Sequence, residues 1–192
     1  MTLIKTLKYG LMASLAISLL SATSLFGLYL YLSPQLPSVE GLSDTRLQVP
    51  LRIYSSDGAL LGEFGEKRRT PKSLDEIPLL MQQAFLAAED NRFYIHSGVD
   101  YQGILRAVIN LVKTGKRGQG GSTITMQLAR NFYLTKEKTY TRKIREIFLA
   151  FKIERELSKD QILELFLNKA YLGARSYGVA AAAHAYYGKQ LD

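Results

Sequence analysis

Residues capable of chemistry gather in three short polar clusters. The first is Glu89-Asp90-Asn91-Arg92-Phe93-Tyr94-Ile95-His96-Ser97-Gly98, in which two adjacent carboxylates are followed at once by a basic residue, aromatics, a histidine and a glycine. The second is Gly120-Gly121-Ser122-Thr123-Ile124-Thr125, and the third is Arg142-Lys143-Ile144-Arg145-Glu146. A carboxylate at the edge of apolar ground can serve as a general base or acid. A glycine-rich turn entering a helix offers free backbone N–H groups and the positive end of the helix dipole, which suit phosphate. Arginines and lysines close to Glu146 on one helix can pair with it or meet an anion. Each cluster alone also has a plainer reading: a solvated helix end, a capped helix after a flexible loop, and a surface Arg–Glu pair worth little.

The elements that must position these clusters can be read from periodicity. Ile77, Leu80, Met81, Ala84, Phe85 and Ala88 recur at helical spacing, which predicts a core-facing helix that delivers Glu89. Ser73-Leu74-Asp75-Glu76 reads as the capping box that opens it. Gly98-Val99-Asp100 turns into a second amphipathic helix with Tyr101, Ile104, Leu105, Val108 and Val112 on its apolar face. The basic, glycine-rich loop from Lys113 to Gly121 follows. It is not a P-loop, because Gly115-Lys116 is followed by Arg117 rather than Ser or Thr. Its Lys113-Thr114-Gly115 has no Ser-x-x-Lys partner elsewhere in the chain, so a β-lactamase reading is excluded. Thr139 to Leu157 is a third helical run, with Ile144, Ile147, Phe148 and Phe151 as its apolar face and Arg142, Arg145 and Glu146 on another. Ser158-Lys159-Asp160-Gln161 is a further capping box, and Ala180 to Ala183 allow close helix packing.

Nearer the N-terminus, Leu11 to Leu32 carries no charge and is long enough to cross a bilayer as a helix. Lys5 and Lys8 before it place the N-terminus in the cytoplasm. The run exceeds the ~7–15 apolar residues of a signal-peptide core, which favours an uncleaved anchor over a leader cut near Ser21-Ala22-Thr23-Ser24. Tyr29 and Tyr31 suit the outer interface. Ser33-Pro34-Gln35-Leu36-Pro37 stops the helix and begins a linker. Leu51 to Tyr54 and Leu60 to Phe64, around Asp57-Gly58, read as a β-hairpin. At 192 residues with 47% hydrophobic content, the chain can bury a sizeable core. It has no cysteine, which excludes disulfides and thiolate metal sites. Its two histidines, His96 and His184, disfavour a histidine-built metal site. A formal net charge of +8 points to an anionic partner: nucleic acid, a membrane surface or a phosphorylated substrate.

The clusters occur in a familiar order. Glu89-Asp90-x-x-Phe93-x-x-His96-x-Gly98 resembles the first motif of the peptidoglycan glycosyltransferases, and Gly121-Ser122-Thr123-Ile124-Thr125-x-Gln127 the second. Arg142-Lys143-x-x-Glu146 is similar to the third motif. Lys159-x-x-Ile162-Leu163-Glu164-x-x-Leu167-Asn168 is similar to the fourth. Arg175-x-x-Gly178-x-x-x-Ala182-x-x-x-Tyr186-Tyr187 is similar to the fifth. With the apolar helix and the hairpin, the chain resembles the N-terminal part of bifunctional class A penicillin-binding proteins. Two positions depart from the pattern. Met126 stands where a second glutamine is usual, removing a polar contact near the substrate, and Phe166 replaces a common tyrosine.

The resemblance implies a mainly α, lysozyme-like helical domain with a short β-hairpin, preceded by one transmembrane helix. The expected organisation is a cytoplasmic tail at 1–8, an anchor at 9–32, a linker at 33–50 and the glycosyltransferase domain at 51–192, incomplete at its C-terminus and without a transpeptidase domain. The implied activity is polymerisation of lipid II into β-1,4 glycan with inversion and release of undecaprenyl pyrophosphate. In that scheme Glu89 is the general base and Glu146 the second catalytic acid, orienting cations or holding a divalent ion such as Mg2+ between the phosphates. Arg130, Lys138, Lys143 and Arg145 meet the leaving pyrophosphate. Gly121, Ser122, Thr123, Gln127 and Arg142 complete the substrate-binding set. Implied partners are lipid II, the growing strand, the bilayer and other cell-wall synthesis proteins, with no nucleic acid. The implied location is the bacterial inner membrane, single-pass, with the catalytic domain on the periplasmic side. Part of Tyr101 to Arg117 is expected to dip into the bilayer interface. The rival readings are a lysozyme-like lytic enzyme and a non-catalytic, membrane-tethered basic scaffold.

Overall fold

The computed structural model describes residues 2–40, 42, 50–65, 69–115, 121–134 and 139–191. The chain divides into two compact units, Met1–Pro37 and Ser38–Asp192. In the first, helix α1 spans Thr2–Leu32 and a 3-10 turn covers Ser33–Gln35. The stretch Leu7–Gln35, whose most apolar 18-residue window has a mean hydropathy of 1.8, is long and apolar enough to cross a membrane. The α-helix ends where expected, at the residues before Pro34, whose ring cannot continue the α-helical bonding.

The second unit is mainly α-helical. It opens with strands β1 (Leu51–Tyr54) and β2 (Leu60–Phe64), paired antiparallel with Leu51 opposite Phe64 and a register shift between Ile53 and Tyr54. The turn falls on Asp57-Gly58, with Gly58 at φ +85°, and the Gly58 N–H donates to the Ser55 carbonyl at 3.0 Å. The Ser55 hydroxyl donates to the Asp57 carboxylate and holds it below its usual range.

Helices α2 (Leu79–Glu89), α3 (Tyr101–Thr114), α4 (Ile124–Tyr133), α5 (Tyr140–Glu156), α6 (Lys159–Lys169) and α7 (Val179–Tyr187) follow. The core lies between α4, α5 and α6, where Ile124, Met126, Leu128, Leu149, Ile153, Ile162, Leu163 and Leu167 are fully buried. Their starts match the caps. Thr123 and Thr139 accept from the backbone N–H groups of Met126 and Arg142, and Ser158 and Gln161 close a reciprocal box. Ala180, Ala181 and Ala182 of α7 are buried as anticipated. Gly178 before them sits at φ +86°, and a Cβ there would come within 2.8 Å of the Asn168 carbonyl oxygen.

Three sequence expectations are corrected. The Ser73–Glu76 box caps a separate 3-10 turn, Leu74–Glu76, and α2 starts only after Pro78. The residue before a proline is driven out of the helical region, and Ile77 is accordingly extended (φ −91°, ψ 123°). Ile77 is therefore buried out of phase with the helix. Met81 and Phe85 are half-buried, whereas Ala84, Ala88 and Leu80, at 80% exposure, face outward. On α5 the fully buried residues are Glu146, Leu149, Ala150 and Ile153, whereas Ile144, Ile147, Phe148 and Phe151 are half-buried, with Ile147 and Phe151 packed against Val99, Met126 and Ala150. That helix is apolar on much of its circumference, so its periodicity does not select a side; packing on α4 and α6 does. On α3, Tyr101, Leu105, Val108 and Val112 are exposed, and Gly103 alone among its residues is buried.

Candidate active site

A cleft of about 590 Å³ opens at the C-terminal end of α2. Glu89 and Asn91 form one side, Arg106, Ala107 and Asn110 of α3 another, and Gly121, Ser122, Gln127 and Arg130 at the start of α4 and along it the third. Glu89, the last residue of α2, is solvent-exposed, and its Oε2 accepts from Gln127 Nε2 at 2.8 Å.

The neighbouring acid does different work. Asp90 is buried, and its carboxylate accepts from the Ile124 backbone N–H and contacts His96 Nε2, each at 3.0 Å. An ionised carboxylate at a helix N-terminus satisfies an orphan donor there and complements the dipole. Asp90 thus fastens the end of α2 to the start of α4. The loop from Asp90 to Gly98 is held from below. Phe93 is buried under Lys159, whose Nζ lies 4.4 Å from the ring centroid. Tyr94 donates to Asp160 at 3.0 Å, and burial together with that carboxylate pushes its hydroxyl up to about 12. Gly98, at φ +90°, passes so near α5 that a Cβ would lie 3.2 Å from the Ala150 backbone. Its carbonyl accepts from the Thr123 hydroxyl at 2.6 Å.

That bond changes the reading of Thr123. The residue borders the cleft, but its hydroxyl is buried, donating to Gly98 and accepting from Met126; it is a cap rather than a free ligand. Met126 is fully buried against Val99 and Ala150, so this departure from the family pattern is a core residue and not a missing polar contact. Phe166 is likewise buried and meets Phe85 of α2 edge-on at 6.3 Å.

Glu146 does not line the cleft. It is 1% exposed, paired through Oε1 with Arg142 and through Oε2 with Lys143 at 3.1 Å. Lys143 also donates to the Ser122 hydroxyl, which does face the cleft. The third cluster therefore reaches the cavity through Lys143 and Ser122. Both Glu146 oxygens are engaged by cations, so the residue does not fit direct ligation of a divalent ion. Among the described residues there is no cluster of three or more His, Asp or Glu that could hold a metal. Arg130 lines the cleft, Arg145 is half-buried on α5, and Lys138 lies outside the described residues, as does most of the basic glycine-rich loop.

The fourth motif works at a distance. Asn168, buried in α6, accepts from the Lys72 backbone N–H at 2.8 Å and donates to the Lys72 carbonyl at 2.7 Å. Glu164 accepts from the Leu74 N–H at 2.8 Å. These bonds hold the segment that launches α2. Lys72 and then Ser73 hold Glu76 in that segment, lowering its pKa to about 2. Arg106 and Asn110 were missed by sequence reasoning. They share a helical face with Gly103 and Ala107, and a stripe so short and mixed gives no sequence signal.

A family model described as Transglycosylase matches residues 57–192. Penicillin-binding protein 1A of Escherichia coli (strain K12) is 56% identical over 188 residues, covering 98% of this chain and 22% of that protein. The Pseudomonas aeruginosa protein of the same name is 55% identical over 168 residues, covering 88% of this chain and 20% of that one. The Vibrio cholerae protein is 51% identical over 187 residues, covering 97% and 23%. A crystal structure of penicillin-binding protein 1A from Haemophilus influenzae aligns over 77% of this chain and 12% of that chain, at 31% identity and a TM-score of 0.31. The chain spans about a fifth of the length of the curated relatives it matches. By the match to the family model over more than half of its length, the chain belongs to the transglycosylase family.

Proposed function

We propose that this chain carries the glycosyltransferase activity of peptidoglycan synthesis, polymerising lipid II into β-1,4 glycan. The observation that carries this reading is a solvent-reachable carboxylate, Glu89, in a cleft whose α4 wall presents Arg130 and a Ser122 backed by Lys143. Glu89 takes the proton from the acceptor's 4-hydroxyl as that oxygen bonds to the donor's anomeric carbon. The bond from that carbon to the pyrophosphate oxygen breaks on the opposite face, and its electron pair leaves with the undecaprenyl pyrophosphate. A single displacement turns the α-linked donor into a β-linked product. The departing group needs cations more than a proton, and preorganised positive charge is often the largest catalytic contribution. Arg130 and Lys143 fill that role, with Lys138 and Arg145 as further cations of the set. Glu146 holds Arg142 and Lys143 in place, which favours the cation-orienting role over the metal-holding one.

Both substrates carry long lipid tails, so we place the enzyme at the bacterial inner membrane, with α1 as anchor and the second unit on the periplasmic side. The exposed apolar stripe of α3 suits contact with the bilayer interface, where apolar surface and basic residues act together.

Offering lipid II and purified sacculi side by side tests the reaction class. The expected result is β-1,4 glycan and released undecaprenyl pyrophosphate from lipid II, with sacculi left intact. Solubilised sacculi without polymer would instead assign a lytic enzyme of lysozyme type.

A further inference from the structure

We propose that Lys159 is a positioning residue for Glu89, acting through the ring of Phe93, and that the nearly buried acid Glu154 holds its ammonium there; this rests on the reading of Glu89 as general base. Lys159 is the first residue of α6, the end of a helix at which the dipole disfavours a positive charge. Two contacts offset that placement. Its Nζ donates to Glu154 Oε1 at 2.8 Å and lies 4.4 Å from the centroid of the Phe93 ring. The face of an aromatic ring attracts a cation, more strongly where water is excluded. Phe93 is 1% exposed and the Lys159 side chain 22%. Lys159 and Glu154 both lie outside the cleft, so their part in the reaction runs through other residues.

Glu154 is the fixed point of this contact. Its side chain is 9% exposed, and the same Oε1 accepts from the Thr125 hydroxyl of α4 at 2.6 Å. Its Cγ passes so close to Gly98 that a Cβ there would lie 3.1 Å away. The carboxylate is thus held by α4 and in turn holds Lys159. Phe93 is tied back toward the cleft, because its backbone N–H donates to the Asp90 carbonyl at 3.1 Å in a tight turn. Asp90 is fastened to the start of α4, and Glu89 directly precedes it. The ends of the loop are fixed at Asp90 and Gly98, and the first turn of α6 fixes its middle, through Lys159 on Phe93 and Asp160 on Tyr94. Without the cation, Phe93 loses the attraction on one ring face, and the turn that leads back to Glu89 gains freedom. Misplacement of a reacting group by about 1 Å can cost ~10²-fold in rate.

Steady-state kinetics on lipid II, with unfolding of the same proteins followed by circular dichroism, test the assignment. Lys159→Met keeps the stem over the ring and removes the charge, whereas Lys159→Arg keeps a cation within reach of ring and carboxylate. Lys159→Met should lower kcat by ~10-fold with KM within about twofold of the parent, and Lys159→Arg should recover most of kcat. Lys159→Met also leaves the Glu154 carboxylate without its cation. The double variant Glu154→Gln/Lys159→Met buries no unpaired charge and should show the same loss of kcat from a folded protein. In a Glu89→Gln background, Lys159→Met should cost nothing further, because the two act as a unit. A lowered unfolding midpoint with kcat kept, or the same kcat for Lys159→Arg as for Lys159→Met, would reduce Lys159 to a packing role and overturn the proposal. A rise in KM with kcat kept, or an equal added loss in the Glu89→Gln background, would overturn it as well. A Glu89→Gln protein that turned over like the parent would instead remove the general-base reading beneath it.

Discussion

The buried carboxylate of Glu146 faces Arg142 and Lys143, one turn back on its own helix, and is satisfied by both. An unpaired charge in a core is costly, so the three residues stand or fall together. Replacing the acid leaves Arg142, whose side chain is 15% exposed, without a counter-charge. Lys143 is better hydrated, at 36%. Breaking a fully buried pair costs ~3–5 kcal/mol, and the exposure of Lys143 reduces the figure here, so Glu146→Gln should destabilise the fold by about 2–4 kcal/mol. Chemical denaturation followed by circular dichroism measures this. Turnover should fall as well, because Lys143 loses the partner that holds it beside Ser122. A variant as stable as the parent would show that Glu146 is not the anchor of those cations.

Helix α3 separates two environments. Gly103, Ala107 and Asn110 line the cleft, while Tyr101, Leu105, Val108 and Val112, at 69%, 61%, 50% and 80% exposure, lie on the other side. A contiguous exposed apolar stripe of this kind marks a contact surface rather than a core face. A tryptophan at Val108 should be quenched by brominated or nitroxide-labelled lipid in vesicles; no quenching would remove the interfacial role. The same helix shows what the sequence could and could not convey. Its start and apolar stripe were legible in the sequence, and the starts of α4 and α6 from their capping residues. The side that α2 and α5 bury was not. An apolar stripe looks alike whether it meets a core or a bilayer, and on α5 apolar residues ring so much of the helix that Glu146 could not be recognised as part of the buried face. The same limit applies to Thr123. Its type and place in the motif announced the cleft, but the bond to Gly98 that occupies its hydroxyl joins residues 25 apart in the chain.

Across the second unit, one arrangement connects the motifs. The α4–α6 core is the fixed platform. Asn168 and Glu164 of α6 hold the segment before α2, and Asp90 ties the far end of α2 to α4. The helix bearing Glu89 is thereby held at both ends, by Asn168 and Glu164 away from the cleft and by Asp90 at its wall. Lys143 reaches the same cavity from α5 through Ser122. The order of the motifs was visible in the chain, whereas this division of labour was not, because it depends on bonds such as that between Lys72 and Asn168, 96 residues apart. The proposed reaction gives one group the task of accepting a proton, and replacing that group tests it most directly. Lipid II turnover by Glu89→Gln should fall by ~10²–10⁴-fold, the usual contribution of a positioned base, while lipid II binding stays within about twofold of the parent. Turnover within a factor of about two of the parent would contradict the assignment of Glu89 and, with it, the proposed mechanism.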